Sequence, residues 1–207
     1  MKNEYSNIET IVFDFGGVLI DWNPRHMYRT ILDDEEKMEW FLKHICTDEW
    51  NLEQDKGRSL ESGTEILTKK FPEHKNLIEA FYGNWEQMLK GEISETVEIL
   101  HELKNKFKIY GLTNWSAETF PVALKRFDFL KLFDGIVVSG HEKLIKPGKE
   151  IFHLLLKRYN LQAGNCVFID DNIKNVEAAV AIGFHTIYFI SPEDLKEKLV
   201  AMKLLDK

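Results

Sequence analysis

The sequence predicts an α/β fold, in which a Rossmann-like parallel sheet is flanked by helices and carries an inserted α-helical cap domain. Three observations lead to this prediction. β-branched and aromatic runs typical of buried strands are widely spaced along the chain; helical patterns alternate with them from residue 94 onward; and residues 24–92 hold only helix-spaced apolar residues. We therefore expect a catalytic core at residues 1–21 and 93–207 and a cap at residues 22–92.

The first strand is predicted within residues 8–20 (IETIVFDFGGVLI), where an apolar run meets a Gly-Gly pair that is typical of a tight loop. Continuous apolar runs suit parallel strands, which are buried on both faces. Four later segments have the same character, and helical patterns lie between them and after the last. The strand segments are 107–113, 135–140, 165–171 and 185–190, and the helical ones are 116–127, 149–159, 172–182 and 192–204.

The inserted region shows no convincing strand, and its segments EEKMEWFLKHI and NLIEAFYGNWEQML have apolar residues at helical spacing. Residues 48–62 are highly polar and are predicted to form a loop. For the tryptophans of this region and its surroundings, core packing is favoured over a place in a cleft. An insertion beside the carboxyl end of the first strand could cover whatever binds there.

Composition sets limits on the function. The chain has 207 residues, 44% hydrophobic and 29% charged, with a net charge of −7, so a disordered chain and a broad nucleic-acid-binding face are excluded. Two cysteines, Cys46 and Cys166, are too few for a disulfide framework and indicate an intracellular protein. The polar N-terminus and the absence of a long apolar segment predict a cytoplasmic protein without a membrane partner.

Four short segments place chemically capable side chains at the ends of predicted strands or the starts of helices. Because the carboxyl ends of parallel strands share one crevice, these side chains are expected to meet. They are Asp14 in FDFGGVL, Thr113 and Asn114 in YGLTNWS, Lys146 in LIKPGKEIF, and Asp170 and Asp171 in VFIDDNIKNVEAA.

Each segment also has a structural interpretation. Asp14 could be a turn residue, but a carboxylate inside an apolar run is costly unless it is used. One N-cap would explain one of Asp170 and Asp171, whereas two adjacent acids at a strand end call for a cation. Lys146 alone would be assigned to the solvated surface. The combination of all four segments is what makes them specific.

In this order, the DxxG opening, the strand-ending TN, the KP loop and the FIDDNxxN segment resemble the haloacid dehalogenase superfamily, over about residues 8–190. The helical insertion resembles that superfamily's small helical cap. The sequence is most similar to the group that includes sugar-phosphate phosphatases and the N-terminal phosphatase domain of soluble epoxide hydrolases.

The resemblance implies that Asp14 is a nucleophile that forms an aspartyl-phosphate. It also implies a Mg²⁺ ion held by Asp14, the Gly16 carbonyl oxygen and the Asp170–Asp171 pair, with Asp171 favoured as the direct ligand. Independently, oxygen ligands in this pattern are those that Mg²⁺ prefers, and an anionic nucleophile needs a cation in order to approach a phosphate.

The resemblance further implies a phosphate site. Thr113 and the Asn114 N–H would bind the phosphoryl oxygens, and Lys146 would neutralise charge. The backbone at Phe15 and Gly16 would approach the phosphate. Within the insert, the resemblance raises Arg58 and Glu53 as candidate substrate contacts, and Asp21 lies at the hinge.

The predicted function is a Mg²⁺-dependent phosphatase of a small phosphorylated metabolite. A metal-free 2-haloacid dehalogenase and a non-catalytic phosphometabolite-binding protein are the alternatives. Most phosphatases of the superfamily carry a second Asp two positions after the nucleophile, where this chain has Gly16. Because that Asp protonates the leaving oxygen, its absence leads us to expect a preference for sugar 1-phosphates, whose leaving group is less basic; Asp21 is an alternative source of the proton.

Overall fold

The structure is a computed structural model that describes residues 5–206. Five strands form one sheet: β1 Thr10–Phe13, β4 Lys108–Thr113, β5 Gly135–Val138, β6 Cys166–Asp170 and β7 His185–Tyr188. Their order in the sheet is β5-β4-β1-β6-β7, and every neighbouring pair is parallel. The predicted parallel α/β fold is confirmed.

Two further strands, β2 Ile20–Trp22 and β3 Leu89–Glu92, pair antiparallel in a separate ribbon. The helices are α1 Pro24–Tyr28, α2 Glu35–His44, α3 Asp48–Asp55, α4 Leu60–Lys70, α5 Lys75–Gly83, α6 Ser94–Lys104, α7 Phe120–Arg126, α8 Ser139–Glu142, α9 Lys149–Tyr159, α10 Ile173–Val180 and α11 Pro192–Ala201. None of the helices within residues 5–206 is long and apolar enough to cross a membrane.

Strand β1 lies at the centre of the sheet, and every side chain in it is buried. Successive side chains of a strand point to opposite faces, so Ile11 and Phe13 enter one apolar cluster while Val12 enters the other. The second cluster includes Phe152 of α9 and Phe168 of β6, whose rings meet edge to face at 5.3 Å. Helices therefore cover both faces, which leaves the carboxyl edge of the sheet as the place where polar side chains can gather.

The ribbon β2–β3 holds the two ends of a helical insert, residues 24–88, which contains α1 to α5. Within this insert Tyr28 packs on Phe41 and Trp50 packs on Phe81, and all four side chains belong to the apolar cluster that includes Phe13 of β1. Aromatic pairs of this kind add to the stability that area burial supplies.

The predicted first strand is confirmed as β1, which ends before the tight turn at Gly16 and Gly17. Two sequence-based expectations about the inserted region were wrong. Strand β3 exists although no strand was expected in residues 24–92. The polar stretch 48–62 is helical over most of its length: Thr47 caps α3 through the Trp50 N–H, and Ser59 caps α4 through the Ser62 N–H.

Candidate active site

Asp14 directly follows β1, and the sheet fixes its backbone. Its N–H donates to the Ile169 carbonyl oxygen of β6 at 2.9 Å, and its Oδ1 accepts from the Phe15 N–H at 2.7 Å. The residue is only 8% exposed. A carboxylate is thus held at the carboxyl edge of the sheet with little water to solvate it.

Lys146 joins this carboxylate to a second one. Its Nζ lies 2.9 Å from Asp14 Oδ1 and 2.7 Å from Asp170 Oδ2, and its side chain is fully buried. An unpaired buried ammonium would be costly, but here two carboxylates surround it. The interpretation of Lys146 as a solvated surface group is therefore excluded.

Asp170 and Asp171 have different environments. Asp170 is fully buried, and both of its oxygens accept hydrogen bonds, from Lys146 Nζ, Asn175 Nδ2 and the Asn172 N–H. Asp171 is exposed at the mouth of the site. Because the Asp170 oxygens are engaged by protein donors, Asp171 has the carboxylate with more freedom to bind an ion.

Electrostatics at this edge favour a cation. Burial raises the pKa of Asp14, and the charges of Asp170 and Asp171 raise it further, although the nearby lysine opposes them. Burial and the charge of Asp170 raise the pKa of Asp171. Burial alone would lower the pKa of Lys146, but the charges of Asp14 and Asp170 outweigh it and raise that pKa. The carboxylates repel one another, and one ammonium does not offset three of them.

The residues present fit a magnesium ion. Asp14, Asp170 and Asp171 offer oxygens that all lie within 4.8 Å of one another, and oxygen-only donors suit a hard divalent cation. Gly17 makes room for this group: it has φ +75°, and a Cβ there would lie 2.2 Å from Asp171 Oδ2. Only glycine fits both the backbone conformation and the space.

Thr113 is buried and ends β4, the strand that pairs with β1; its role at the site remains a prediction. The side chain of Asn114, however, has a task that sequence reasoning missed. Its Nδ2 donates to the Lys146 carbonyl oxygen at 3.0 Å, and its Oδ1 accepts from the Lys146 N–H at 2.9 Å. The carboxamide therefore fixes the loop that carries the lysine, and only the Asn114 backbone remains for a substrate.

A cavity of about 60 Å³ lies between this edge and the helical insert, with room for only a few water molecules. Gly16, Asn114 and Ser116 line it from the core side, and Asn51, Asp55 and Tyr82 line it from the insert. Its remaining wall is mostly aromatic and consists of Trp22, Trp85, Trp115 and Thr119. Core packing, which was favoured for the tryptophans, is confirmed: Trp50, Trp85 and Trp115 belong to the buried apolar cluster and Trp22 packs against it. Trp22, Trp85 and Trp115 line the cavity as well.

The structure does not bring Arg58 or Asp21 to this cavity. Arg58 Nη2 donates to the Trp50 carbonyl oxygen at 3.1 Å, and its Nε bonds to Gln54 within the insert. Asp21 Oδ1 lies 2.9 Å from His26 Nε2, on the strand face opposite to its cavity-lining neighbour Trp22. Glu53 is exposed.

Asp55 is the cavity-lining residue that sequence reasoning overlooked most clearly. It ends α3, and its backbone carbonyl accepts from Ser139 Oγ of the core at 2.5 Å. Burial raises the pKa of Asp55 to about 7, opposed only by a hydrogen bond from the Ser116 N–H. In the sequence, Asp55 is an acid immediately before Lys56-Gly57. No apolar pattern in that polar stretch indicates that this residue lies in a cavity wall.

These features define a hydrolase site at the edge of a parallel sheet, and comparison with known proteins assigns the family. The profile of haloacid dehalogenase-like hydrolases matches residues 8–183. The chain belongs to this family, and the resemblance identified in the sequence is confirmed.

Three curated relatives align over most of the chain. A sesquiterpene phosphatase of Aspergillus oryzae is 29% identical over 86% of this chain and 88% of its own length. A phosphorylated carbohydrates phosphatase of Thermotoga maritima is 28% identical over 87% of this chain and 84% of its own. A drimenol cyclase of Aspergillus calidoustus is 26% identical over 93% of this chain, which spans only 36% of that enzyme.

Solved structures share the fold. A haloacid dehalogenase family enzyme of Bacteroides thetaiotaomicron, in its magnesium complex, superposes with a TM-score of 0.74 at 20% identity, covering 94% of this chain and 99% of that one. The wild-type form of that enzyme has also been crystallised with magnesium and inorganic phosphate.

Proposed function

We propose that this protein is a Mg²⁺-dependent phosphatase that hydrolyses a small phosphorylated metabolite through an aspartyl-phosphate on Asp14. The observation that carries the proposal is the group formed by Asp14, Lys146, Asp170 and Asp171. In this group Lys146 bridges Asp14 and Asp170, and an oxygen of Asp171 lies within 4.8 Å of oxygens of both acids. Relatives named as phosphatases and a family enzyme crystallised with magnesium and phosphate support it.

The chain's own residues would divide the work as follows. An Asp14 oxygen attacks phosphorus as the bond to the leaving oxygen breaks, and water then hydrolyses the aspartyl-phosphate to inorganic phosphate and free Asp14. Lys146 keeps the nucleophile oriented and lowers the negative charge that the phosphate meets. Thr113 and the N–H groups of Phe15, Gly16 and Asn114 would bind the phosphoryl oxygens.

Asp14, the Gly16 carbonyl oxygen and Asp171 would hold the magnesium, with Asp170 supporting it through its bond to Lys146. When bound, the ion supplies positive charge that stabilises the phosphoryl group during transfer. The insert would act as a cap, because its Asp55 and Tyr82 line the same cavity as Gly16 and Asn114. Cytoplasmic location and the expected domain bounds remain predictions.

One alternative function and one substrate preference can be tested. A dehalogenase would bind a carboxylate substrate, which the three neighbouring acids would repel, so this alternative is disfavoured. The preference for sugar 1-phosphates rests on the missing acid at Gly16 and loses its basis if another group supplies a proton.

The test is a panel of phosphorylated metabolites, including glucose 1-phosphate and glucose 6-phosphate, assayed for phosphate release with and without Mg²⁺. The same preparation is assayed for halide release from 2-chloropropionate. Metal-dependent phosphate release is expected. Halide release in chelator, or no turnover of any phosphoester, would overturn the proposal.

A further inference from the structure

Gly16 has no side chain that could donate a proton to the leaving oxygen. Departure of an alkoxide or phenoxide from phosphorus needs a proton, and general acid catalysis contributes about 10²–10⁴ in rate. A Cβ at Gly16 would meet nothing within 4 Å, so the space beside the nucleophile is open there. Gly16 lines the cavity under the insert, and a donor in that cavity could reach the leaving oxygen.

Among the residues described, Asp55 is the sole carboxyl group in the lining of this cavity. It faces the same space as Gly16 and Asn114, but from the insert rather than from the sheet. We infer that Asp55 is the general acid of the phosphatase, supplied by the insert in place of the side chain that Gly16 lacks. This inference rests on the function proposed above.

The orientation of Asp55 is fixed by a chain of hydrogen bonds. Gln54 Nε2 donates to the Tyr82 hydroxyl at 2.9 Å, and this hydroxyl donates to Asn51 Oδ1 at 2.8 Å. Asn51 Nδ2 then donates to Asp55 Oδ2 at 3.2 Å. The Asn51 side chain and the Ser116 N–H, both neutral donors, therefore orient the Asp55 carboxyl group.

The surroundings favour the protonated form of this acid. The side chain is desolvated and lies at the C-terminal end of α3, where the helix dipole disfavours a negative charge. The nearby titratable groups are otherwise engaged: Tyr82 donates to Asn51, and Arg58 is bonded to Gln54 and Trp50. Its pKa of about 7 is the value that lets one group donate and then accept a proton near neutral pH.

Asp55 is also anchored to the core. Ser139 Oγ accepts from the Trp115 N–H at 2.9 Å and donates to the Asp55 carbonyl oxygen. The end of α3 is therefore tied to the loop after β4 that carries Asn114. This contact fixes the position of Asp55, an insert residue, relative to the backbone that would bind the phosphate.

The proton balance of the proposed cycle is complete. Protonated Asp55 gives its proton to the leaving oxygen as the P–O bond breaks and Asp14 becomes phosphorylated. The resulting Asp55 carboxylate takes a proton from the water that attacks the aspartyl-phosphate. Inorganic phosphate leaves, Asp14 is free, and Asp55 is protonated again.

The test compares kcat/KM for phenyl phosphate and 4-nitrophenyl phosphate, which have nearly the same shape but differ in how much the leaving oxygen needs a proton. The Asp55→Asn substitution should reduce kcat/KM for phenyl phosphate by a factor at least about ten times larger than the reduction for 4-nitrophenyl phosphate. Glu49→Gln, on the same helix but exposed, is the matched control and should leave the ratio of the two substrates unchanged.

A rescue variant and a pH profile separate proton donation from a structural role. Gly16→Asp in the Asp55→Asn background should restore phenyl phosphate hydrolysis at least tenfold, and Asp55→Asn should remove the basic limb from the pH profile of wild-type kcat/KM. Equal losses on both substrates, or an unaltered basic limb, would overturn the assignment of Asp55.

Failure of the proposed function would look different, because the wild type would then hydrolyse neither ester. If Asp55→Asn does not fold, a series of substituted phenyl phosphates on the wild type decides instead. A shallow dependence of kcat/KM on leaving-group acidity supports a proton donor, and a steep dependence overturns it.

Discussion

The carboxamide of Asn114 and the backbone of Lys146 form two reciprocal hydrogen bonds, with donor–acceptor distances of 3.0 and 2.9 Å. Asn114 follows β4, while Lys146 lies in the loop between α8 and α9, so this pair joins two segments that are distant in sequence. The lysine ammonium bridges Asp14 and Asp170, and its position therefore depends on a side chain that touches neither acid.

Replacing Asn114 with alanine should lower kcat about 10- to 100-fold, because a displacement of the lysine of about 1 Å is enough to misplace the nucleophile. The Asn114 N–H is kept in this variant, so KM should change much less than kcat. Steady-state kinetics with 4-nitrophenyl phosphate measures both, and Asn105→Ala, at an exposed position, is the control. A rise in KM with wild-type kcat would contradict the positioning role.

Asp14→Asn should reduce turnover by more than about 10⁴-fold, because an amide does not attack phosphorus. Covalent catalysis is then lost, and so is the contribution of the residues that assist it. Folding should be preserved, since asparagine has the same shape and an oxygen that can still accept the Phe15 N–H. Phosphate release and circular dichroism measure the two effects. Asp128→Asn, a surface change, is the control. Activity within tenfold of wild type would exclude Asp14 as the nucleophile.

Magnesium should bind the protein even in the absence of substrate. Because the ion relieves repulsion among three carboxylates, addition of Mg²⁺ to chelator-treated protein should raise Tm, and chelator should abolish turnover. Asp171→Asn should weaken the Mg²⁺ dependence of both measurements by about tenfold or more, while Asn172→Asp at the adjacent exposed position should not weaken it. Full activity in chelator would contradict a metal site.

Much of the site followed from the sequence because strand ends converge. Asp14, Thr113, Lys146 and the Asp170–Asp171 pair could be brought together without coordinates, since apolar runs mark the strands and parallel strands end at one edge. The parallel sheet was predictable because the apolar runs alternate with helical patterns along the chain. Both predictions combine local sequence patterns with one rule of topology.

The remaining features depend on tertiary contacts that no local pattern encodes. The polar composition of α3 conceals that its last residue, Asp55, is half-buried and hydrogen-bonded to Ser116 and Ser139. The sequence around Asn114 is the same whether its side chain binds substrate or another loop, so the sequence does not distinguish the two roles. Strand β3 is short and lacks apolar alternation, so only its pairing with β2 identifies it.

Asp55→Asn should stabilise the protein at alkaline pH. In the unfolded protein the pKa of Asp55 is near the ordinary aspartate value of 3.8, while burial raises it to about 7 in the folded protein, so the folded state binds more protons between these pH values. Stability contributed by this group is therefore complete below about pH 4 and declines as pH rises through 7.

Asparagine stays neutral, so the variant should have a Tm about 2 °C or more above wild type at pH 8 and a Tm close to wild type at pH 4. Differential scanning calorimetry at both pH values measures the difference, with Glu53→Gln as the exposed control. An equal shift at both pH values would indicate a cause other than the titration of Asp55.

The ribbon formed by β2 and β3 has an evolutionary consequence. The chain leaves the core at Trp22 and returns at Leu89, and these two residues are paired partners in the ribbon. Since entry and exit are side by side, the registry of β1 with β4 is independent of how many residues lie between them. Helices of the insert other than α3 can be lengthened, shortened or exchanged without disturbing Asp14, so substrate range can diversify as long as α3 and its Asp55 are kept.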